Sequence, residues 1–215
     1  MHIPDGILPL AVSTTGFVVT GVATWYSLRK INQQEDPQAS IPKAALLTSA
    51  FFVASWIHVP IPPTSVHLVL NGLLGVILGW YVFPAILIGL FFQAIMFNHG
   101  GLTTLGVNAA MMGIPALAAY YIFQLRYKFG GDEPTNLARF AFMGGALGLG
   151  LAAVIAFPLL IYTIPGHLDV AAERTSIIAL LVAHVPLMVI EGFFTAMLVS
   201  FLARVKPELI QAVAT

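Results

Sequence analysis

Gly144-Gly145-Ala146-Leu147-Gly148-Leu149-Gly150-Leu151-Ala152-Ala153-Val154-Ile155-Ala156-Phe157-Pro158 lies inside a segment, residues 137–164, whose one charged side chain is Arg139. About 20 apolar residues suffice to cross a hydrocarbon core of about 30 Å, so the segment reads as a membrane helix, broken near Pro158. Its glycines would let neighbouring helix backbones approach closely, either for tight bundle packing or as a sliding face for a partner.

The rest of the chain has the same character. Of 215 residues, 59% are hydrophobic and 8% charged, against roughly 25% charged in average globular proteins. Working outward from residues 137–164, six further apolar segments emerge: residues 8–28, 43–57, 67–81, 84–97, 103–125 and 175–204. Polar linkers cover residues 29–42 and 126–136. Residues 58–66 hold three prolines and read as irregular. Residues 98–101 and 165–174 are loops, and residues 205–215 form a tail. The reading is a single all-α membrane domain over residues 1–215, a bundle of about seven transmembrane helices.

The basic residues test the count. With an external amino terminus and a cytoplasmic carboxyl terminus, Arg29, Lys30, Lys43, Arg126, Lys128, Arg139, Arg204 and Lys206 fall at cytoplasmic ends and Arg174 alone falls outside. That is a strong positive-inside bias. Six segments would scatter it. In this orientation Met1, His2, His58, His67, His99 and His167 lie at or near the outer surface. His184 alone is deep in a helix.

Composition also removes chemistry. With nine basic and nine acidic residues, charge points to no nucleic acid or acidic partner. Without cysteine, any metal site must use nitrogen and oxygen. His-Glu-x-x-His, the Lys-Ser/Thr phosphate loop and Gly-x-Ser-x-Gly are all missing. The chain therefore does not itself hydrolyse ATP. No basic n-region with a cleavage site precedes the first helix, and the bulky His2 is expected to preserve Met1 from processing.

Met1-His2-Ile3-Pro4-Asp5-Gly6 is the stretch with unusual chemistry. A terminal amine followed by histidine offers three nitrogens in a row: the Met1 amine, the His2 amide and His2 Nδ1. One further imidazole would complete a planar four-nitrogen set, which suits Ni(II) or Cu(II) and can be imposed on Co(II). His67 is the candidate fourth ligand, and His58 an alternative at the headgroup level. Ser65, two residues from His67, could hydrogen-bond a ligand. Gln93, Asn98, His99, Thr103, Thr104 and Asn108 would cost energy facing lipid and should face the bundle interior. Asn98, His99 and Asn108 read as hydrogen-bonding support beneath a metal site, or as interhelical bonds. His184 and Glu191, two turns apart, share one face of the last helix. They have a structural or a coupling role.

These residues carry a family resemblance. The opening hexapeptide, His67 at its spacing, Asn98-His99-Gly100-Gly101-Leu102-Thr103-Thr104-Leu105-Gly106-Val107-Asn108 and His184-Val185-Pro186-Leu187-Met188-Val189-Ile190-Glu191-Gly192 together resemble the CbiM/NikM family. These are the substrate-binding membrane subunits of cobalt and nickel energy-coupling-factor transporters of prokaryotic plasma membranes. The resemblance implies a seven-helix bundle with an inserted amino terminus. It implies Ni2+ or Co2+ as bound substrate, held by the Met1 amine, the His2 amide and imidazole, and His67. It also implies a transmembrane coupling subunit, cytoplasmic ATPase subunits and often a small accessory membrane subunit as partners. The cobalt branch often begins Met-His-Ile-Met-Glu-Gly, whereas Pro4-Asp5 is associated more with nickel. Two other readings use the same residues: a proton-coupled secondary metal transporter relaying through Glu191 and His184, and a membrane-embedded metalloenzyme.

Overall fold

Backbone groups inside a bilayer have no water to bond, so a chain this apolar satisfies them within helices. The computed structural model describes residues 2–61, 64–166 and 168–210, and for 58–61, 64 and 65 it describes the backbone alone. The helices are α1 (Leu10–Ile31), α2 (Ile41–Ala54), α3 (Asn71–Leu78), α4 (Val82–Phe97), α5 (Leu105–Gln124), α6 (Pro134–Tyr162) and α7 (Val170–Val205). Short 3-10 turns follow α3, α5 and α7. Among the described residues, four stretches are long and apolar enough to cross a membrane: Asn71–Phe97, Leu105–Lys128, Pro134–Tyr162 and Val170–Val205.

Three expectations from the sequence are corrected. First, the proline-rich stretch is not irregular. His58–Ile61 (β1) and Thr64–His67 (β2) pair antiparallel, with His58 opposite His67. A two-stranded hairpin has two outer edges, and a proline's missing N–H costs nothing on an edge. Second, His67 does not begin the third helix. It closes β2, and Leu70, at φ 56°, interrupts the backbone before α3 starts at Asn71. Third, α6 is not broken at Pro158 but runs on to Tyr162. Neighbouring helices let membrane helices tolerate proline in this way.

Residues 71–97 are not one rod. A straight helix of that length would span about 40 Å, yet the rings of His67 and His99, just beyond its two ends, lie 5.0 Å apart. The chain reverses at Gly79, φ +57°. The reversal is tied to the far end of α1: Tyr81 Oη donates to the Pro37 carbonyl at 2.7 Å and to Gln34 Oε1 at 3.0 Å. Trp80 packs edge-on against Tyr26 and Tyr120, under the Lys30 ammonium. Lys43 donates to the Leu209 carbonyl at the same end. The reversal returns α4 to the level of β2 and so brings His99 back to His67.

Close helix contacts hold the bundle around this pair. A Cβ on Gly75 of α3 would fall inside the Ala116 carbonyl of α5, and one on Gly72 would meet the α6 carbonyls of Gly144 and Gly145. A Cβ on Gly21, exposed on α1, would meet nothing within 4 Å. Gly75→Val should therefore destabilise the protein by about 1–3 kcal/mol, the cost of overpacking. Gly21→Ala should leave it unchanged or more stable by up to about 1 kcal/mol. Thermal unfolding in detergent, followed by size-exclusion chromatography, checks both.

Candidate metal centre

The opening segment is irregular and turns His2 and Ile3 into the helical bundle, where each backbone group that leaves water needs a partner. Asn108, in the first turn of α5, supplies two. Its Oδ1 accepts the Ile3 N–H at 3.0 Å and its Nδ2 donates to the Ile3 carbonyl at 3.0 Å. The amide side chain thus pairs with Ile3 as a neighbouring strand would. Thr104 Oγ1 donates to the same carbonyl at 2.6 Å, and the Ile3 side chain is 2% exposed. Asp5 fixes the other end of the segment. Its carboxylate accepts the N–H groups of Leu102 and Thr103 and the Thr103 hydroxyl. The Thr103 hydroxyl, with these amides, holds the Asp5 carboxyl below the usual carboxylate range. Gly101 permits this approach, because a Cβ there would occupy the position of the Asp5 carboxylate.

Beside Ile3, the orientation of His2 is set by a relay of hydrogen bonds from α2. The carbonyls of Phe51 and Phe52 belong to the last turn of α2 and have no partner within that helix. Gln93 of α4, fully buried, donates its Nε2 to both, at 3.2 and 3.4 Å. That points Gln93 Oε1 at His2 Nε2, 2.9 Å away. An amide oxygen only accepts, so His2 carries its hydrogen on Nε2 and keeps a lone pair on Nδ1. Nδ1 is buried without a hydrogen-bond partner among the described residues.

His67 completes the arrangement in the opposite tautomer. Its Nδ1 lies 3.0 Å from the Leu68 carbonyl, so Nδ1 bears the hydrogen and Nε2 the lone pair. The His2 and His67 ring centroids are 5.1 Å apart, and His99 lies over His2 at 4.3 Å. One ligand atom from each of the three imidazoles falls within 4.8 Å of the others. Burial, and then the positive charges that would gather there, those of His67 and His99 included, push the His2 imidazole well below its ordinary pKa. The ring stays neutral, the form that ligates metals. Such a group of three imidazoles suits a borderline transition-metal ion.

Comparison with known proteins gives this geometry its context. Residues 2–209 match the family model for the cobalt uptake substrate-specific transmembrane region, CbiM. The chain belongs to the CbiM family. It is 33% identical over 213 residues to a provisionally named metal transport protein of Haemophilus influenzae, covering 97% of this chain and 96% of that one. It is also 33% identical to the fused nickel transport protein NikMN of Rhodobacter capsulatus, covering 98% of this chain and 64% of that longer protein. The crystal structure of a transition metal transporter shares the fold, with a TM-score of 0.79 at 24% identity over 95% of this chain and 93% of the other. The chain is thus a multi-pass membrane protein of a metal-transport family.

The CbiM fold treats the sequence candidates unequally. His2, His67 and His99 converge, and Asn108 supports them through Ile3. His99, expected beneath the site, stands beside His2. Gln93, Thr104 and Asn108 are buried as expected. Asn98 and Thr103 are exposed instead. Asn98 ends α4 in the left-handed conformation, φ 51°, which asparagine tolerates, and Thr103 serves Asp5. His184 and Glu191 are both buried, but they are not paired by a hydrogen bond. His184 turns Nδ1 to the Leu180 carbonyl at 2.7 Å, and Glu191 bonds backbone groups near His67. Met1, His167 and the side chains of His58 and Ser65 lie outside the described residues. The specific tasks of Gln93, Asp5 and Thr104 are not legible from the sequence, because each depends on which carbonyl or amide the fold sets opposite. The intramembrane polarity of Gln93 and Thr104 is the signal that marks them.

Asn108→Ala should undock the opening segment at a cost of about 1–3 kcal/mol, the range for an unsatisfied buried group. Hydrogen exchange at the Ile3 amide should rise while α5 stays protected. Acid should act in the same direction. The docked His2 has a pKa below 6.5, so the undocked state binds more protons between the two values. Docking is then complete above about pH 6.5 and weakens as pH falls below it.

Proposed function

We propose that this chain captures Ni2+ or Co2+ outside the cell as the substrate-binding subunit of an ATP-driven energy-coupling-factor transporter. The observation that carries the reading is His2 Nδ1, buried without a hydrogen-bond partner among the described residues while Nε2 is held by Gln93. A buried nitrogen without a partner costs free energy, and a metal ion would remove that cost. The ligand set is the Met1 amine, the His2 amide and Nδ1, and His67 Nε2. It forms a five-membered and a six-membered chelate ring closed by one imidazole, and its four nitrogens in a plane match Ni(II) and are adoptable by Co(II). The His99 ring, its centroid 4.3 Å from that of His2, forms a wall of the site. Ser65, whose side chain lies outside the described residues, is kept as a candidate hydrogen-bonding group beside the ligands. The family model describes cobalt uptake and one relative is a nickel transport protein, which supports reading either ion as substrate.

Affinity should fall with pH, because the amine and the amide must lose protons to bind. The amino terminus is external and the carboxyl terminus cytoplasmic. The end of the bundle that carries Lys30, Lys43 and the Trp80 reversal then faces the cytoplasm, in keeping with the positive-inside rule. A chain without an ATP-binding motif needs partners to drive release: a transmembrane coupling subunit, cytoplasmic ATPases and, in some systems, a small accessory membrane subunit.

One alanine inserted between Met1 and His2 keeps every side chain but lengthens the segment by up to about 3.6 Å and breaks the chelate pattern. An uncleaved amino-terminal tag turns the amine into an amide. Both changes should abolish Ni2+ and Co2+ binding at normal membrane levels, measured by metal analysis of the purified protein. Normal metal content in the tagged protein would refute the terminal chelate. A reporter after Thr215 should be active only in the cytoplasm, and one found outside would reverse the orientation.

A further inference from the structure

Glu191 is 1% exposed in the middle of α7, far along the helix from either end. Its two oxygens do separate tasks. Oε1 accepts the Val69 N–H and Oε2 accepts the Leu70 N–H, the latter at 3.0 Å. These amides lie two and three residues beyond His67. Leu70 is one of two described non-glycine residues at positive φ, a conformation that a leucine keeps only when its surroundings impose it. The carboxylate spans both amides and so imposes it. Asn71 adds a second restraint, donating Nδ2 to the Met112 carbonyl of α5 and the Gly148 carbonyl of α6. Behind Glu191, α7 is seated tightly on α6. A Cβ on Gly145 would come within 2.8 Å of the Glu191 carbonyl oxygen, and one on Gly192 within 2.8 Å of the Phe142 ring. The carboxylate therefore stands on a close-packed helix pair, and the backbone leaving His67 hangs from it.

We infer that Glu191 is a positioning residue for metal capture: through the Val69 and Leu70 amides it fixes the direction from which His67 Nε2 enters the site. The inference rests on the proposed ligand role of His67. It distinguishes Glu191 from a relay group, because both carboxylate oxygens are engaged with backbone amides of the segment that carries His67. A glutamine cannot replace it. A carboxamide has one acceptor oxygen and would turn an N–H2 group toward the second amide, leaving that amide unsatisfied. His67 would then be free to swing while His2, held independently by Gln93 and Asn108, stays in place.

The test is a double-mutant cycle on the full chain with its native amino terminus, purified in detergent, with Ni(II) and Cu(II) salts as probes. The readouts are the dissociation constant and the d–d absorption of the bound ion. Glu191→Gln should weaken binding by about 10–100-fold, as for a group that orients a ligand, and should shift the absorption band. His67→Ala should weaken binding more. In the His67→Ala background, Glu191→Gln should change affinity by less than about twofold, because its effect passes through a side chain already removed. An equal loss in both backgrounds would mean that Glu191 supports the fold generally, and would overturn the inference. So would wild-type affinity and an unshifted band in Glu191→Gln. Wild-type binding by His67→Ala would instead sink the ligand role of His67 and the inference with it. Should Glu191→Gln not fold, Glu191→Asp supplies the same cycle. It keeps both acceptors but withdraws them by one methylene, and an unshifted band at wild-type affinity in that variant would equally overturn the assignment.

Discussion

A chain terminus carries unpaired backbone groups, and the interior of a membrane bundle supplies no water to satisfy them. The position of the opening segment depends on meeting that constraint with side chains. Asn108 gives Ile3 the two hydrogen bonds of a missing strand, Thr104 adds a third, and Asp5 binds the loop that follows α4. Once these are made, His2 Nδ1 is left buried without a hydrogen-bond partner among the described residues. The polar groups around it have fixed partners and the ring has a fixed tautomer. A site prepared in this way has little rearrangement left to undergo when a ligand arrives, which favours affinity.

The same fold decides how His67 meets His2. A hairpin delivers His67 from one side, and a chain reversal at Gly79 returns His99 from the other. Both are departures from continuous helix, and irregular backbone at membrane depth is tolerated where protein buries it. Here Glu191 accepts the Val69 and Leu70 amides that the break exposes, and Asn71 ties the start of α3 to the Met112 and Gly148 carbonyls of α5 and α6. The long helices α6 and α7 form the fixed wall against which these shorter elements are set. The division is between a rigid helical frame and a site assembled from short pieces held to it by side-chain bonds.

Much of this was legible in the sequence for simple reasons. The helices could be read because the membrane demands length and apolarity, which are local properties of the chain. The candidate ligands could be read because the Met1-His2 pair is a chelate in covalent structure, whatever surrounds it. The polar residues Gln93, Thr104, Asn108 and Glu191 stood out because polarity inside an apolar segment needs a partner. The family resemblance supplied the expectation that these pieces meet.

Only the tertiary structure decided where each partner lies. The prolines of residues 58–66 suggested irregularity, but Pro60, in β1 of a two-stranded pair, needs no hydrogen bond on an outer edge, and edges exist only once the strands pair. His67 looked like the start of a helix by hydropathy. The left-handed Leu70 and the Glu191 carboxylate, 121 residues further on, delay the helix to Asn71. His99 looked like support beneath the site, and the reversal at Gly79 placed its ring over His2. The tautomer of His2 follows from two carbonyls at the end of α2, reached through Gln93. Composition and covalent order determined that this chain is a membrane bundle and marked Met1-His2 as a candidate chelate. Long-range hydrogen bonds, which no local pattern encodes, decided which nitrogens face one another.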